Sequence, residues 1–540
     1  MGDSKYVLAM YDVRGKQQFI FKTNKLQEIV GASWIIRDIY KDYLFPVAES
    51  LTETGKGIYN PEKGEDFSAE KLKWHLDKEG YLGEVVYEGG GNFILIFKSM
   101  TAFNRVTYAF TKKVMQEIGT LQVLGTAVEI ESDLADYKSD QKRLYAEHRI
   151  REAEESSIAP WSCLPIVQVD RKTSRALVDY SEMIKNEDDK VKKAIRFRGK
   201  LSKESLARLL KYHKELDKPG SLSGKGISDD ESEFYRQNEQ ILDKIVEEKG
   251  KDSKLAVVYI DGNSMGAKVQ ERTKGITSYD ECVNELRKFS DEIQKTYVED
   301  GIKAALSGIK KENRFRIVVY AGDEINFIVM AKDAFQCAKK YLEYLREKQE
   351  ASSCAGICVF NSHAPYSDAY RIAEEACESG KQMMKEKQLS CAAFIDYHIS
   401  QGAMGSSLEA IRDRDNEDGV VSRPWLMWCK DEIQDVPDVT RFEDVERIIK
   451  FLNVAGRSNA KGLAFAAKAG SFELTMEINR IYGHLGEKEQ VDNKELWESV
   501  KEMQKPYLRK IVYDAVIAFD LWFDENNSDY SGEGTDDGKN

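Results

Sequence analysis

Twice in this chain a β-branched run ending in tyrosine passes through a glycine-containing turn into a second apolar run. Val85-Val86-Tyr87 leads through Glu88-Gly89-Gly90-Gly91-Asn92 into Phe93-Ile94-Leu95-Ile96-Phe97. Val318-Val319-Tyr320 leads through Ala321-Gly322-Asp323-Glu324 into Ile325-Asn326-Phe327-Ile328-Val329-Met330. Paired runs of this composition around a tight turn read as hairpins. The first hairpin follows a strand (Lys5 to Asp12) and a stretch of helical spacing (Lys25 to Phe45), and precedes a helix (Thr101 to Ile118) and a strand (Leu121 to Ile130). The second follows a strand (Leu255 to Asp261) and a helix (Tyr279 to Tyr297), and precedes a helix (Ala334 to Glu347) and a strand (Ser353 to Phe360). A further helix (Ser367 to Lys385) and strand (Cys391 to Asp396) come after it. The β-α-β-β-α-β order is the split βαβ, or ferredoxin-like, arrangement. Chance rarely reproduces element order and turn chemistry together, so two copies of one fold are the economical explanation. The expected fold class is α+β, with two βαββαβ modules and helical regions between and after them.

At 540 residues the chain is too long for one core. Expected boundaries are 1–132 for the first module, 133–251 for a helical connecting domain, 252–400 for the second module, 401–525 for a C-terminal helical domain and 526–540 for a disordered acidic tail. A helical pattern from Lys494 to Trp522 should be kinked or broken at Pro506. In the connecting domain, Lys190-Val191-Lys192-Lys193-Ala194-Ile195-Arg196-Phe197-Arg198-Gly199-Lys200 is the most basic run. It suits either contact with a phosphate backbone or, more commonly, a solvated helix face. Residues 218–226 are rich in Gly, Ser and Lys but fail the spacing of a phosphate loop, and read as a linker.

A net charge of -13 argues against broad non-specific attraction to nucleic acid or anionic membranes. Eight cysteines include no C-x-x-C pair, so buried free thiols are expected rather than a zinc ribbon or redox motif. With no apolar run of about 18 residues and no secretory h-region, neither a membrane span nor an export signal is expected, and a cytoplasmic location follows.

The chemistry concentrates in the second module. Its first strand ends in Asp261 and breaks into Gly262-Asn263-Ser264-Met265-Gly266, while its hairpin turn carries Asp323 and Glu324. Carboxylates emerging at one sheet edge can share hard divalent cations, Mg²⁺ or Mn²⁺, through oxygen ligands. Asp261 and Asp323 are the candidate catalytic and metal-binding acids, with Glu324 as a third ligand. The implied chemistry is metal-assisted phosphoryl transfer, in which one ion activates a hydroxyl and the other neutralises a leaving pyrophosphate. The turn from Gly262 to Gly266 leads into a helix, so its backbone N–H groups suit a triphosphate. Asn263 and Ser264 add side-chain donors, Gly322 is part of the hairpin turn, and Lys381 or Lys385 on a later helix would counter phosphate charge. In the first module Asp12 survives at its strand end, but the hairpin reads Gly89-Gly90-Gly91-Asn92-Phe93 and lacks the matching acid. That copy is expected to be degenerate, binding nucleotide or packing against the active module, within the chain or in a homodimer.

These residues resemble a known family. Ala321-Gly322-Asp323-Glu324-Ile325 is similar to the GGDEF/GGDD hairpin shared by diguanylate cyclases and the palm polymerases of CRISPR systems. Asp261-Gly262-Asn263-Ser264-Met265-Gly266 resembles the D-x-D/N-x-x-G turn of the latter, and Ala373-Glu374-Glu375-Ala376-Cys377-Glu378-Ser379-Gly380-Lys381 resembles their A-D-x-A-L-x-x-A-K helix. The stretch Tyr11-Asp12-Val13-Arg14-Gly15-Lys16-Gln17-Gln18-Phe19-Ile20, with Gly31-Ala32-Ser33, looks like the inactive first palm of the large subunit of type III CRISPR effectors. The resemblance implies two palm domains and an enzyme that converts ATP into cyclic oligoadenylate, an antiviral second messenger. Guide RNA, target RNA and other type III subunits would be its partners. Carried over, Asp261 and Asp323 would hold the metals, Ser264 would lie near the triphosphate and Lys381 would meet a phosphate. No His-Asp dipeptide occurs, so a form without the nuclease domain is expected, and the cysteine cluster often seen between the palms is missing. Two other readings fit the residues: a cyclic dinucleotide synthase using the same metal site, and a catalytically silent scaffold subunit of an RNA complex.

Overall fold

The computed structural model describes residues 6–61, 74–76, 78–89, 92–131, 134–154, 166–170, 173–216, 245, 254–309, 315–348, 351–402, 404–415, 420–430 and 439–522. The linker at 218–226, the tail at 526–540 and the turn residues Gly90 and Gly91 lie outside them. The chain divides into two compact units, one of residues 1–241, 264–300 and 317–325, the other of residues 242–263, 301–316 and 326–540.

In the first unit β1 (Tyr6–Arg14), α1 (Leu26–Arg37), β2 (Tyr81–Gly89), β3 (Asn92–Phe97), α2 (Met100–Glu117) and β4 (Gln122–Ile130) follow the expected order. Their sheet runs β2-β3-β1-β4, the ferredoxin-like arrangement, with a short edge strand, Gly57–Tyr59, outside β2. β1 is antiparallel to both neighbours, with Leu8 opposite Ile96 and Val128. Both faces are covered, which is why these strands read as unbroken apolar runs. On one face Tyr11 packs against Phe103 and Phe110 of α2, at 6.0 and 5.7 Å between ring centres.

Further helices of this unit include α3 (Tyr137–Glu154), α4 (Asp189–Phe197), α5 (Lys203–Leu216), α6 (Met265–Arg272) and α7 (Tyr279–Ile293). The basic run forms α4, whose Val191 and Ile195 join Leu201, Leu206 and Leu209 in a small core, leaving Lys193, Arg196 and Phe197 outside. α5 lies directly on α1: a Cβ at Gly31 would stand 2.0 Å from the carbonyl oxygen of Arg208. α7 holds a less expected place. By sequence it belongs to the second module, yet its Tyr279, Cys282, Val283 and Leu286 pack with Leu8, Met10, Ile94 and Ile96 of the first sheet. A buried ion pair from Arg287 to Glu84 (3.0 Å) and a hydrogen bond from the Tyr279 hydroxyl to Asp140 (2.8 Å) fasten it there.

The second sheet has seven strands. β5 (Lys254–Gly262), β6 (Phe315–Ala321) and β7 (Glu324–Met330) precede α8 (Ala334–Arg346), β8 (Ser353–Asn361), α9 (Tyr366–Glu386), β9 (Ala392–Ile399), α10 (Leu408–Arg414) and β10 (Trp425–Cys429). The order is β10-β9-β8-β5-β7-β6, with Thr440–Arg441 outside β10. The four strands β8-β5-β7-β6 repeat the ferredoxin-like order, so the α+β class with two such sheets is as the sequence led us to expect. β8 is antiparallel to β5 and parallel to β9. The region after residue 401 is not wholly helical: Trp425-Leu426-Met427-Trp428-Cys429 is a strand antiparallel to β9. Five residues with no hairpin partner nearby gave no periodic signal.

Beyond it come α11 (Phe442–Ala455), α12 (Arg457–Ala469), α13 (Ser471–His484), α14 (Glu487–Asp492), α15 (Lys494–Glu502) and α16 (Lys505–Phe519). The break before α16 puts Pro506 in a first turn, where its missing N–H costs nothing. A buried knot ties α16 to the sheet. The fully buried Asp514 carboxylate accepts from the Ser422 backbone N–H (2.6 Å) and hydroxyl (2.7 Å) and lies 3.3 Å from Nε of Arg423. Tyr397 of β9 donates its hydroxyl to the Asp514 carbonyl at 2.7 Å. Among the described residues no helix is long and apolar enough to cross a membrane.

Candidate functional site

β5 is an interior strand of the second sheet, between β8 and β7, and every side chain from Leu255 to Ile260 is buried. The strand reaches Asp261 just as burial gives way, so the carboxylate is held by a rigid element yet keeps about a quarter of its surface in solvent, 27%. Asp261 stands opposite Cys354 of β8 and Tyr259 opposite Gly356. Directly opposed residues of an antiparallel pair share a face, and here that face is covered by α9.

Two glycines set how closely α9 approaches. A Cβ at Gly356 would stand 1.9 Å from the Ala373 carbonyl oxygen and 2.4 Å from the Cys377 nitrogen, so the helix backbone rests on the strand. One at Gly380 would stand 2.9 Å from Cβ of Phe394 on β9. The next residue is Lys381, and its Nζ lies 2.5 Å from Oδ2 of Asp261. Burial alone would depress the ammonium, but the adjoining Asp261 carboxylate outweighs it and holds the lysine above its ordinary range. Beneath this pair lie two buried thiols, Cys377 donating to the Cys354 carbonyl oxygen at 3.1 Å. Burial pushes Cys354 up to about 12 and Cys377 well above its usual value, so both stay neutral. Lys385, one helical turn beyond Lys381, is mostly exposed and faces Glu378 at 3.5 Å.

After Asp261 the chain turns. Gly262 is buried, and Asn263 is 1% exposed. The sequence offered the Asn263 amide to a triphosphate. The structure corrects this: its Nδ2 donates to the Ala392 carbonyl (2.9 Å) and to Ser352 Oγ (3.3 Å), while its backbone N–H donates to the Ser352 carbonyl (2.9 Å). Asn263 therefore pins the turn to the neighbouring strands and has no donor left for a ligand.

In the first unit, Ser264 is exposed and takes φ +56°, a left-handed conformation, and its side chain does not cap α6. The first N–H groups of α6 thus have neither an intrahelical acceptor nor a serine cap. Gly266 is exposed, and a Cβ there would meet nothing within 4 Å. In the hairpin Gly322 takes φ +65°, which a two-residue turn between β6 and β7 requires at its first central position. The turn presents Asp323 and Glu324, both half-buried. Asp323 lies close enough to Tyr87 of the first module that, with burial first and Tyr145 second, it helps push the Tyr87 phenol up to about 12. In the first module's own copy Asp12 is paired with Lys16 at 3.3 Å.

Among the described residues no group of three or more His, Cys, Asp or Glu side chains is gathered to hold a metal ion. The donor chemistry nonetheless suits a hard cation. Asp261 keeps part of its carboxylate side chain in solvent, and the thiols beneath it, which would favour softer metals, are buried and protonated. The sequence reading missed Gly356 and Gly380. The first carried a signal, since a lone glycine inside a strand marks a bulge or a close backbone approach. It also missed Asp396, which receives a bidentate grip from Arg412 at 2.7 and 3.1 Å and anchors α10 beneath β9.

A ferredoxin-like sheet with an aspartate at the end of an interior strand and a lysine-bearing helix behind it is the architecture of a palm domain. Residues 254–389 match the family model described as Cas10/Cmr2, second palm domain. Residues 254–389 thus form a Cas10/Cmr2-type second palm domain. Among solved structures the chain is similar to the apo Csm1-Csm4 cassette, at 12% identity over 96% of this chain and 70% of that chain, with a TM-score of 0.49. It is also similar to the cassette in complex with cA4 (11%, 96% and 70%, TM-score 0.46) and with AMPPNP (12%, 71% and 54%, TM-score 0.41). The chain therefore spans little more than half of the AMPPNP-bound relative. No curated protein matches the sequence.

Proposed function

We propose that this protein is a metal-dependent nucleotidyltransferase that joins ATP into cyclic oligoadenylate, working with guide RNA, target RNA and other subunits of a type III CRISPR effector in antiviral defence. The observation that carries the reading is Asp261, projecting about a quarter exposed from the end of β5 in the matched palm with Lys381 against it. Asp261 and Asp323, with Glu324, are the residues to hold Mg²⁺ or Mn²⁺. When bound, such ions activate the attacking hydroxyl and neutralise the leaving pyrophosphate.

The rest falls to the chain's own groups. The uncapped first turn of α6, with Ser264 and the open flank at Gly266, receives the triphosphate through backbone N–H groups and a hydroxyl. Lys381 supplies a positive charge to the phosphates, and Lys385, further out and more exposed, adds a weaker one. Gly262 and Gly322 serve through the backbone, keeping two tight turns free of side chains beside the acids. The first palm, whose hairpin lacks an acid to match Asp323, binds nucleotide or serves in packing rather than holding a second metal site.

The test is to incubate the purified protein with each labelled nucleoside triphosphate and Mg²⁺ or Mn²⁺, with and without RNA, and to resolve the products. ATP should give oligoadenylates, and Asp323→Ala should lower the rate by several orders of magnitude while the protein melts as wild type. Products built from guanine would favour the dinucleotide synthase. An Asp323→Ala protein that retains full synthesis would refute the metal-site assignment, and a folded wild-type protein that makes nothing from any nucleotide would leave the scaffold reading standing.

A further inference from the structure

We propose that Lys381 is a displaceable internal counter-ion. It occupies the Asp261 carboxylate until a divalent cation takes its place, and the freed ammonium then turns to the phosphates of the nucleotide. This rests on the reading of Asp261 as a metal ligand.

The geometry sets up a competition. Nζ of Lys381 lies 2.5 Å from Oδ2 of Asp261, on the carboxylate that a hard cation would bind. An ammonium and a divalent ion cannot share one carboxylate oxygen without strong repulsion at such range. The helix cannot relieve the conflict by closing in, and backing away would cost its packing on the sheet. Gly356 and Gly380 already bring its backbone against β8 and β9, and Ala373 and Cys377 lean directly on the strand. What can move is the lysine stem, four flexible carbons ending in a point charge. Once released, the ammonium has no second acid to receive it: among the described residues Asp261 is the only carboxylate within ion-pair distance of Lys381. The neighbouring Cys354 and Cys377 thiols are neutral. An incoming phosphate is then its best partner. Cation and triphosphate therefore help one another, each drawing away what blocks the other, and linkage makes the help reciprocal.

The experiment measures Mn²⁺ binding to the full chain without nucleotide, by calorimetry and by the loss of free-ion paramagnetic resonance. Lys381→Met and Lys381→Gln should each bind Mn²⁺ about fivefold to tenfold more tightly than wild type, the worth of one partly buried ion pair. Lys381→Arg, which keeps the charge, should show no such gain. Charge-removing variants that bind no more tightly than wild type, or not at all, overturn the proposal. Adding Asp261→Asn to Lys381→Met separates this from the underlying assignment. Loss of the gain supports the proposal, whereas tight binding that persists without Asp261 shows that this carboxylate is not the ligand and that the function reading itself is at fault.

Discussion

Replacing Gly356 with alanine tests whether α9 truly rests on β8. The new methyl group would arrive 1.9 Å from the Ala373 carbonyl oxygen, 2.4 Å from the Cys377 nitrogen and 3.0 Å from the Ala373 carbonyl carbon. Ordinary contact lies near 3.5 Å, so the helix must retreat by roughly 1.5 Å. All three opposing atoms are backbone, so no side chain can rotate away to make room. Elsewhere a Gly→Ala change of this kind stabilises by about 0.4–1 kcal/mol through the unfolded chain. Here overpacking of about 1–3 kcal/mol should outweigh that. At roughly 2–4 °C per kcal/mol for a domain of this order, the melting temperature should fall by several degrees. The same retreat stretches the ion pair between Lys381 and Asp261. Gly266→Ala is the internal control, because a Cβ there meets nothing within 4 Å. Thermal melts of the full chain, followed by circular dichroism, should show Gly356→Ala well below wild type and Gly266→Ala close to it. If Gly356→Ala melts within about 1 °C of wild type, the close approach is wrong, and so is the account of how α9 delivers its lysine.

Two further outcomes follow from the second unit. Asp514→Ala removes the acceptor for Ser422 and the counter-ion of the buried Arg423. Breaking such a pair should cost about 3–5 kcal/mol, seen as a large drop in the denaturant midpoint; a loss within experimental error would show that the knot contributes nothing. His398 is held neutral by burial first, then by Arg423 and Arg412, which bring its pKa down from 6.5 to about 4. Between those values the unfolded chain binds a proton that the folded chain refuses, so stability should fall as pH drops through that window, by about 3 kcal/mol in all. His398→Gln should therefore lose less melting temperature than wild type between pH 7 and pH 4.5, and parallel profiles would refute the assignment.

How much of this was legible in the sequence depended on whether a feature was local. The strands ending at Asp261 and flanking Gly322 announced themselves through β-branched runs and turn chemistry, and the element order gave both sheets. What depended on a distant partner did not show. The apolar stripe of α7, Tyr279, Cys282, Val283 and Leu286, has the same spacing whichever sheet it serves, so periodicity could not reveal that it packs with Met10 and Ile94. Asn263 looked like a free donor because nothing near it in the chain uses its amide, whereas its acceptors, Ser352 and Ala392, lie far along the sequence. The pairing of Lys381 with Asp261 was foreseen only as proximity to a phosphate. Its actual partner became visible once the glycines under α9 were seen to bring the two together.

The lodging of α7 on the first sheet has a consequence for how the protein is made. When α3 leaves the ribosome, the face bearing Leu8, Met10, Ile94 and Ile96 still lacks α7, one of the two helices that cover it. That helix is not translated until residue 293, a wait of roughly 10–30 s at ordinary rates of synthesis. Through that interval the nascent chain carries an unfinished oily surface, a natural target for chaperones. A ribosome that stalled between the two palms would release a product unable to seal its own core.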